Sequence, residues 1–255
     1  MRPLEEYDSP VPLTTAREAS PRPACDDGTP RELGRVMALA VRHDQSRVPR
    51  AVPTARAVAG VGLDGDRHGD ALSPRQVLLA GMPTYGRHGL APHTLRENLL
   101  LDVDTAGLSS GTLLQVGPTA ILWLTFHCEA CGYLDARQPG LARAIGRNRG
   151  MLARVLHGGD ICAGDRVVRL DTARPCWSDD WRDRVAQVLA QVPAGMVVEY
   201  RQLARLAGIQ AVYCRALPAL ARKLGLSDRA AAQQAVPDRP RWRGDSVFDA
   251  EVVVG

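Results

Sequence analysis

Thr119-Ala120-Ile121-Leu122-Trp123-Leu124-Thr125, running on into Phe126-His127-Cys128-Glu129-Ala130-Cys131-Gly132-Tyr133-Leu134, is the stretch on which the reading of the fold turns. The first seven residues are an apolar run that reads as a buried strand. The strand ends in an imidazole and two thiols, and rigid backbone that delivers soft ligands or nucleophiles is a common way to fix reactive groups. Cys128 and Cys131 admit three readings: half of a structural zinc site, inert core cysteines, or a reactive or metal-ligating pair. A zinc site needs four ligands, and no second cysteine pair stands at suitable spacing, although His127 and Cys162 are available.

Upstream of this stretch lie several short strands. Arg35 to Val41 reads as a first strand, and Ala51 to Val61 as a second, broken by Pro53. Arg75 to Ala80, Leu95 to Leu101 and Gly111 to Gly117 follow as strands, with a short helix or turn over 82–90. Between the second and third strands sits Gly62-Leu63-Asp64-Gly65-Asp66-Arg67-His68-Gly69-Asp70, dense in glycine and charge. It reads either as a tight turn or as an anion-binding loop, with Arg67 and backbone amides as donors. Downstream, Gly140 to Ile145 reads as a short helix, and periodicity does not decide Gly150 to Leu156 between strand and helix. Gly158 to Leu170 reads as turn, strand, turn and closing strand. Short strands separated by glycine turns predict a β-rich barrel or sandwich from about 34 to 171.

Further out the composition changes at both ends. Residues 1–31 are rich in Pro, Asp, Glu, Ser and Thr and read as a disordered tail. Residues 172–178 carry Pro175 and read as a linker. Asp179 to Gln191 then shows helical spacing of Trp181, Val185, Val188 and Leu189, with Asp179 and Asp180 suited to the N-cap. Tyr200 to Leu206 and Ala211 to Leu224 read as two more helices flanking Gly208, a helix-turn-helix arrangement within a small helical domain over 179–255.

The whole chain bounds these readings. Its 255 residues can bury one large or two modest cores. Net charge is +4, too small to announce a nucleic-acid binder, and Lys223 is the only lysine. Apolar runs fall short of the roughly 18 residues of a membrane helix, and residues 1–30 hold no signal-peptide core, so the expected location is cytoplasmic. Thiols there stay reduced, which sets aside a disulfide framework for the six cysteines. No dinucleotide, flavin or haem motif is present, nor a cysteine set for an iron–sulfur cluster.

Taken together, Gly62 to His68, Arg75-Gln76-Val77-Leu78-Leu79, Leu95-Arg96-Glu97-Asn98-Leu99, Gly111 to Gly117, Cys131, Arg149-Gly150 and Gly164-Asp165 resemble a MOSC domain, the module named for the C-terminal part of molybdenum-cofactor sulfurases. The likeness runs from about Gly34 to Leu170, with its blocks in family order. It implies a barrel-like β fold with a cysteine in a pocket. That cysteine ligates the metal of molybdenum cofactor (molybdopterin), in enzymes that reduce N-hydroxylated or N-oxygenated compounds, or it carries sulfur as a persulfide. Cys131 is the equivalent position here, with Ala130 where the family has proline. Cys131 is thus the implied catalytic thiol and metal ligand, Cys128 its partner, and His68 a third catalytic candidate. Arg67, Arg75, Arg96, Asn98 and Arg149 are the candidates for holding the cofactor. A thiolate is needed for metal binding and for persulfide chemistry alike, and neighbouring Arg67, His68 or Arg149 would favour it. The expected partners are a small-molecule substrate and a separate electron-donor or sulfur-donor protein.

Residues 179–225 are similar, more distantly, to the DNA-binding domain of O6-alkylguanine DNA alkyltransferases and their alkyltransferase-like relatives. Tyr200 and Arg215 fall at that family's DNA-contacting positions, but its Pro-Cys-His-Arg acceptor motif is absent. The resemblance implies a winged-helix-like scaffold without alkyl transfer, and contact with DNA through it. Residues 179–255 hold eleven Arg or Lys against nine Asp or Glu, a thin excess for tracking phosphates. The alternative to an enzyme is therefore a DNA- or protein-binding module scaffolded by the barrel.

Overall fold

In the computed structural model of the chain, residues 30–43, 48–235 and 239–249 are described. The expected N-terminal tail lies outside them, apart from its last two residues. Eleven strands occupy the first part: β1 (Arg31–Val41), β2 (Arg50–Val52), β3 (Thr54–Val58), β4 (Gly62–Leu63), β5 (Val77–Gly81), β6 (Leu99–Leu101), β7 (Thr112–Val116), β8 (Ala120–His127), β9 (Met151–His157), β10 (Gly159–Cys162) and β11 (Arg166–Ala173). Helices α1 (Met82–His88), α2 (Gly132–Asp135) and α3 (Leu141–Ile145) are short insertions between them. Seven strands follow one another as β11-β7-β8-β9-β5-β6-β1, and pairing of β1 with β11 closes them into a barrel. The choice left open between barrel and sandwich thus falls to the barrel. Pro53 separates β2, which pairs with the end of β1, from β3, which joins β10 and β4 in a separate three-stranded sheet.

Chain direction explains where the helices go. All the barrel pairings are antiparallel except β5–β6, and a parallel pair needs a crossover, supplied by α1 and the loop to residue 98. The strand expected over Leu95 to Leu101 is shorter for the same reason. His93 and Arg96 take left-handed backbone, φ 60° and 59°, so extended structure begins only at Leu99. Gly150 to Leu156 resolves as strand β9, pinned between β5 and β8.

The lumen is filled by aliphatic side chains, among them Val36, Leu79, Leu99, Leu114, Leu122, Leu124, Met151 and Val155. Small closed barrels are filled in this way, so the lumen has no room for a ligand. Strand β8 is buried on both faces, hence its nearly unbroken apolar run. Ala120, Leu122 and Leu124 face the lumen, while Trp123 lies on the outer wall. The register against β9 shifts between Leu124 and His127, and past that shift Phe126 joins Trp123 outside. Thr125 sits at the irregularity, its hydroxyl directed at the carbonyls of Pro74 and Leu152.

Beyond the barrel come α4 (Trp181–Gln191), α5 (Tyr200–Leu206) and α6 (Leu217–Lys223), with a two-residue parallel pair β12 (Val198–Glu199) and β13 (Ala230–Ala231). Asp180 caps α4, accepting from the Arg182 amide at 2.8 Å. The helix expected over Ala211 to Leu224 is instead a 3₁₀ turn, Ala211–Arg215, followed by α6 from Leu217. Arg215 therefore sits on a different element from Arg222 and Lys223. Pro218 at the start of α6 explains the break, since proline suits a first turn and not a helix interior. This C-terminal segment shares one core with the barrel's outer wall. Val185, Val188, Leu203, Leu206 and Leu217 pack with Leu78, Leu113, Trp123, Phe126 and Leu152.

Candidate active site

Strand β8 carries the chain to Cys128, whose amide donates to the Gly150 carbonyl at 2.8 Å. Gly150 is held at φ +125°, and a Cβ there would lie 2.2 Å from the Leu79 carbonyl oxygen, so only glycine lets the Arg149 segment lie so close to β5. Arg149, nearly buried, then donates from Nε to Cys128 Sγ at 3.2 Å. Arg75 Nη2 approaches the same sulfur at 3.7 Å. Cys128 is buried, whereas Cys131, half-buried, starts the four-residue helix α2.

Both thiols border a cavity of about 320 Å³. Arg42, Arg75, Arg96 and Arg149 stand around it, with His68, Asn98 and Glu129. Its apolar wall is Leu78 and Leu152, register partners on β5 and β9 that point outward from the barrel. The remaining edge is Ile209 and Gln210, from the turn after α5. The site thus lies on the outer wall, under the C-terminal segment, and not in the barrel lumen as a barrel pocket would imply.

Asp66 organises one side. It is buried and accepts from the Arg42 amide and the Asn98 side chain, both at 2.8 Å, and from the His68 amide at 2.9 Å. The His68 ring sits between Asp66 Oδ1, at 2.9 Å, and Arg42 Nη2, at 2.8 Å. Burial alone would raise the Asp66 pKa, but the hydrogen bonds from His68 and from the Arg42 amide outweigh it and hold the carboxyl below its ordinary value. Asn98 borders the cavity while bracing strands, donating to the Ala40 carbonyl and accepting from the Leu78 amide.

Electrostatics around the cavity are those of cations held close together. Burial, then repulsion from Arg96, pushes the Arg42 pKa down to about 10, with Asp66 opposing. Burial and the charges of Arg149 and Arg67 likewise lower Arg96, against the pull of Tyr133 and Cys131. Arg149 moves the other way. Burial works against its charge, but the Cys128 sulfur and, further off, Cys131 more than compensate. Arg42 Nε and Arg149 Nη1 are buried donors with no acceptor among the described residues. Such donors cost about 1–3 kcal/mol each when left unpaired.

The residues expected at the site do not all converge. Cys128, Cys131, His68, Arg75, Arg96, Asn98 and Arg149 border the cavity. Arg67 is exposed and borders an adjoining recess with Arg96, Tyr133 and Arg137, where the Tyr133 ring lies 4.7 Å from the Arg96 guanidinium. Tyr200 packs against the C-terminal core, and Arg215 is exposed on the 3₁₀ turn. Cys162 is on β10, near Thr54. Among the described residues no three His, Cys, Asp or Glu side chains converge as a metal-holding group, and no helix is long and apolar enough to cross a membrane. Among the polar contributors, Arg42, Asp66, Glu129 and Gln210 escaped the sequence reading. Arg42 follows an apolar strand just as Cys128 does, which was the usable signal. Gln210 carries none, because only packing brings it to the site.

A closed, filled barrel presents two thiols and four guanidiniums to an external cavity. The family model for the MOSC domain matches residues 76–168. That span holds both thiols, Arg96 and Arg149, while Arg42, His68 and Arg75 precede it. No curated protein matches the chain. Among solved structures, the YuaD protein of Bacillus subtilis is 19% identical with a TM-score of 0.48, over 56% of this chain and 98% of its own. YiiM from Geobacillus stearothermophilus is 15% identical with a TM-score of 0.43, over 75% of this chain and 99% of its own. YiiM from Escherichia coli is 17% identical with a TM-score of 0.42, over 76% and 94% respectively.

Proposed function

We propose that the cavity binds molybdenum cofactor and that the protein is an oxidoreductase acting on small N-hydroxylated or N-oxygenated compounds. The observation that carries this reading is the convergence of four guanidiniums, of Arg42, Arg75, Arg96 and Arg149, with two thiols at one cavity. Arg42, Arg75 and Arg149 hold the cofactor's phosphate, and a soft thiolate suits the metal. Cys131, at the less buried position, is the ligand; Cys128 is the second thiol, its sulfur accepting from Arg149 Nε. When bound, the cofactor supplies the two-electron chemistry, and the protein supplies the clamp, the ligand and the pocket. Reducing equivalents come from a separate donor protein.

Protein purified from a cofactor-competent host is expected to contain molybdenum and a fluorescent pterin. Cys131→Ser should lose the metal, and Arg149→Ala the pterin. Molybdenum-free protein whose Cys128 or Cys131 carries extra sulfur by mass spectrometry would replace this reading with a persulfide carrier, which the Arg149–Cys128 contact also suits. Against a nucleic-acid role stand the thin basic excess of residues 179–255 and the packing of Tyr200 into the core. Arg215→Ala should leave cofactor content and reductase activity unchanged.

A further inference from the structure

We propose that Gln210, supported by Ile209, is the specificity-determining wall of this cavity. It limits the size of what reaches the thiols and supplies a hydrogen-bond acceptor to an N–H or O–H of the ligand. The C-terminal segment is thereby a substrate-selecting part of the barrel's own site, an inference that rests on the proposed function.

The turn that carries these residues is held in place from the barrel side. Arg75 Nη1 donates to the Gly208 carbonyl at 3.0 Å, so the arginine that reaches Cys128 also fixes the turn. Gly208 is at φ +63°, and a Cβ there would lie 2.6 Å from Pro74 and 2.8 Å from Phe126. Just before it, Arg184 donates to the Ala207 carbonyl at 2.9 Å and pairs with Glu129, itself a cavity residue, at 3.2 Å. Arg205 grips Asp70 with two short hydrogen bonds, 2.7 and 2.6 Å. Three independent ties therefore set the two wall residues against the cavity.

The chemistry of the wall distinguishes Gln210 from its neighbours. The guanidiniums offer donors alone. Glu129 gives Oε1 to Arg184 and offers only a charged acceptor in its other oxygen, and Asn98 is spent on backbone and on Asp66, which leaves Gln210 as the neutral amide acceptor of the wall. The Gln210 side chain makes no hydrogen bond to another described residue and is exposed, so its carbonyl remains available as an acceptor. A ligand that carries an anionic or oxygen-rich end for the arginines and an N–H or O–H for Gln210 meets both requirements, and N-hydroxylated compounds are of this kind.

Thiol alkylation on the full chain, read at Cys128 and Cys131 by peptide mass, tests the wall without a known substrate. Wild-type protein should react readily with iodoacetamide and slowly with fluorescein maleimide. Gln210→Ala should speed the bulky reagent by about tenfold, the scale on which a single shape contact discriminates, with little change for the small one. Gln210→Trp should slow both. Gln210→Leu keeps the bulk but loses the acceptor, and should lower the ratio of iodoacetamide to iodoacetate rates. Rates and ratios unchanged in all three folded variants would overturn the proposal. Protection of the thiols by inorganic phosphate reads the anion site separately. Its absence would count against the proposed function while leaving the size effect of Gln210 standing.

Discussion

The barrel lumen and the seam between barrel and C-terminal segment are both buried, yet they are built from different materials. The lumen cluster is aliphatic throughout, and its geometry follows from strand register. The seam holds Trp123, Phe126, Trp177, Trp242 and Phe248, together with Arg184, which is wholly buried. Arg184 lies 3.7 Å from the Phe126 ring and donates to the carbonyls of Ser178, Asp179 and Ala207. Aliphatic packing resists any loss of volume but is indifferent to orientation. A buried guanidinium is satisfied in one arrangement only, so it specifies where the second layer sits. The cavity opens where this oriented seam meets the ends of β5, β8 and β9, which is why the thiols are bordered by both parts of the chain.

That contrast can be broken most sharply at Arg184. Arg184→Ala strands Glu129 and three carbonyls and is expected to cost about 3–5 kcal/mol in urea unfolding. A cost under about 1 kcal/mol would mean that the guanidinium does not organise the seam. In the lumen, Leu122→Ala is expected to cost about 2–5 kcal/mol through lost burial and a cavity, with no change in thiol alkylation rates. Gly208→Ala should cost about 1–3 kcal/mol through strained backbone, and it should raise thiol accessibility because the wall turn must move. Altered accessibility in Leu122→Ala but not in Gly208→Ala would reverse the assignment of the two regions.

Acid tests the hydrogen-bonded side of the cavity. Asp66 titrates below its ordinary value of 3.8 in the folded protein, so the unfolded chain binds the proton more readily. The stability it contributes is present above about pH 4 and is lost as pH falls through the lower folded value. Asp66→Asn should therefore flatten the acid limb of the stability profile below pH ~4, and an unchanged limb would show that Asp66 gains nothing from its charge. The smallest effect is expected for Arg205→Ala. Its side chain is 46% exposed, and loss of the Asp70 pair should cost at most about 1 kcal/mol, less at high salt.

Particular residues show how far the sequence could be read. Strand β8 was legible because burial on both faces demands an apolar run, and α4 because its apolar spacing and Asp180 cap are local. The strand at Leu95 was not, since left-handed backbone at His93 and Arg96 leaves no mark in polarity. At the site, Arg149 and Gly150 stood out as a pair, whereas Gln210 is an ordinary turn residue that the Arg75–Gly208 contact carries to the cavity.

By itself the sequence determined the strands, the glycine turns between them, and the delivery of two thiols at a strand end, because these depend on short-range periodicity and backbone sterics. Only the tertiary structure decided that the lumen is filled and the site lies outside it. Closure of β1 on β11 leaves the interior to aliphatic side chains, and the register shift after Leu124 turns Phe126 outward beside Trp123, on the wall where Cys128 packs. It likewise decided that residues after 178 complete the cavity, through a buried guanidinium and a turn whose partners lie more than a hundred residues away along the chain.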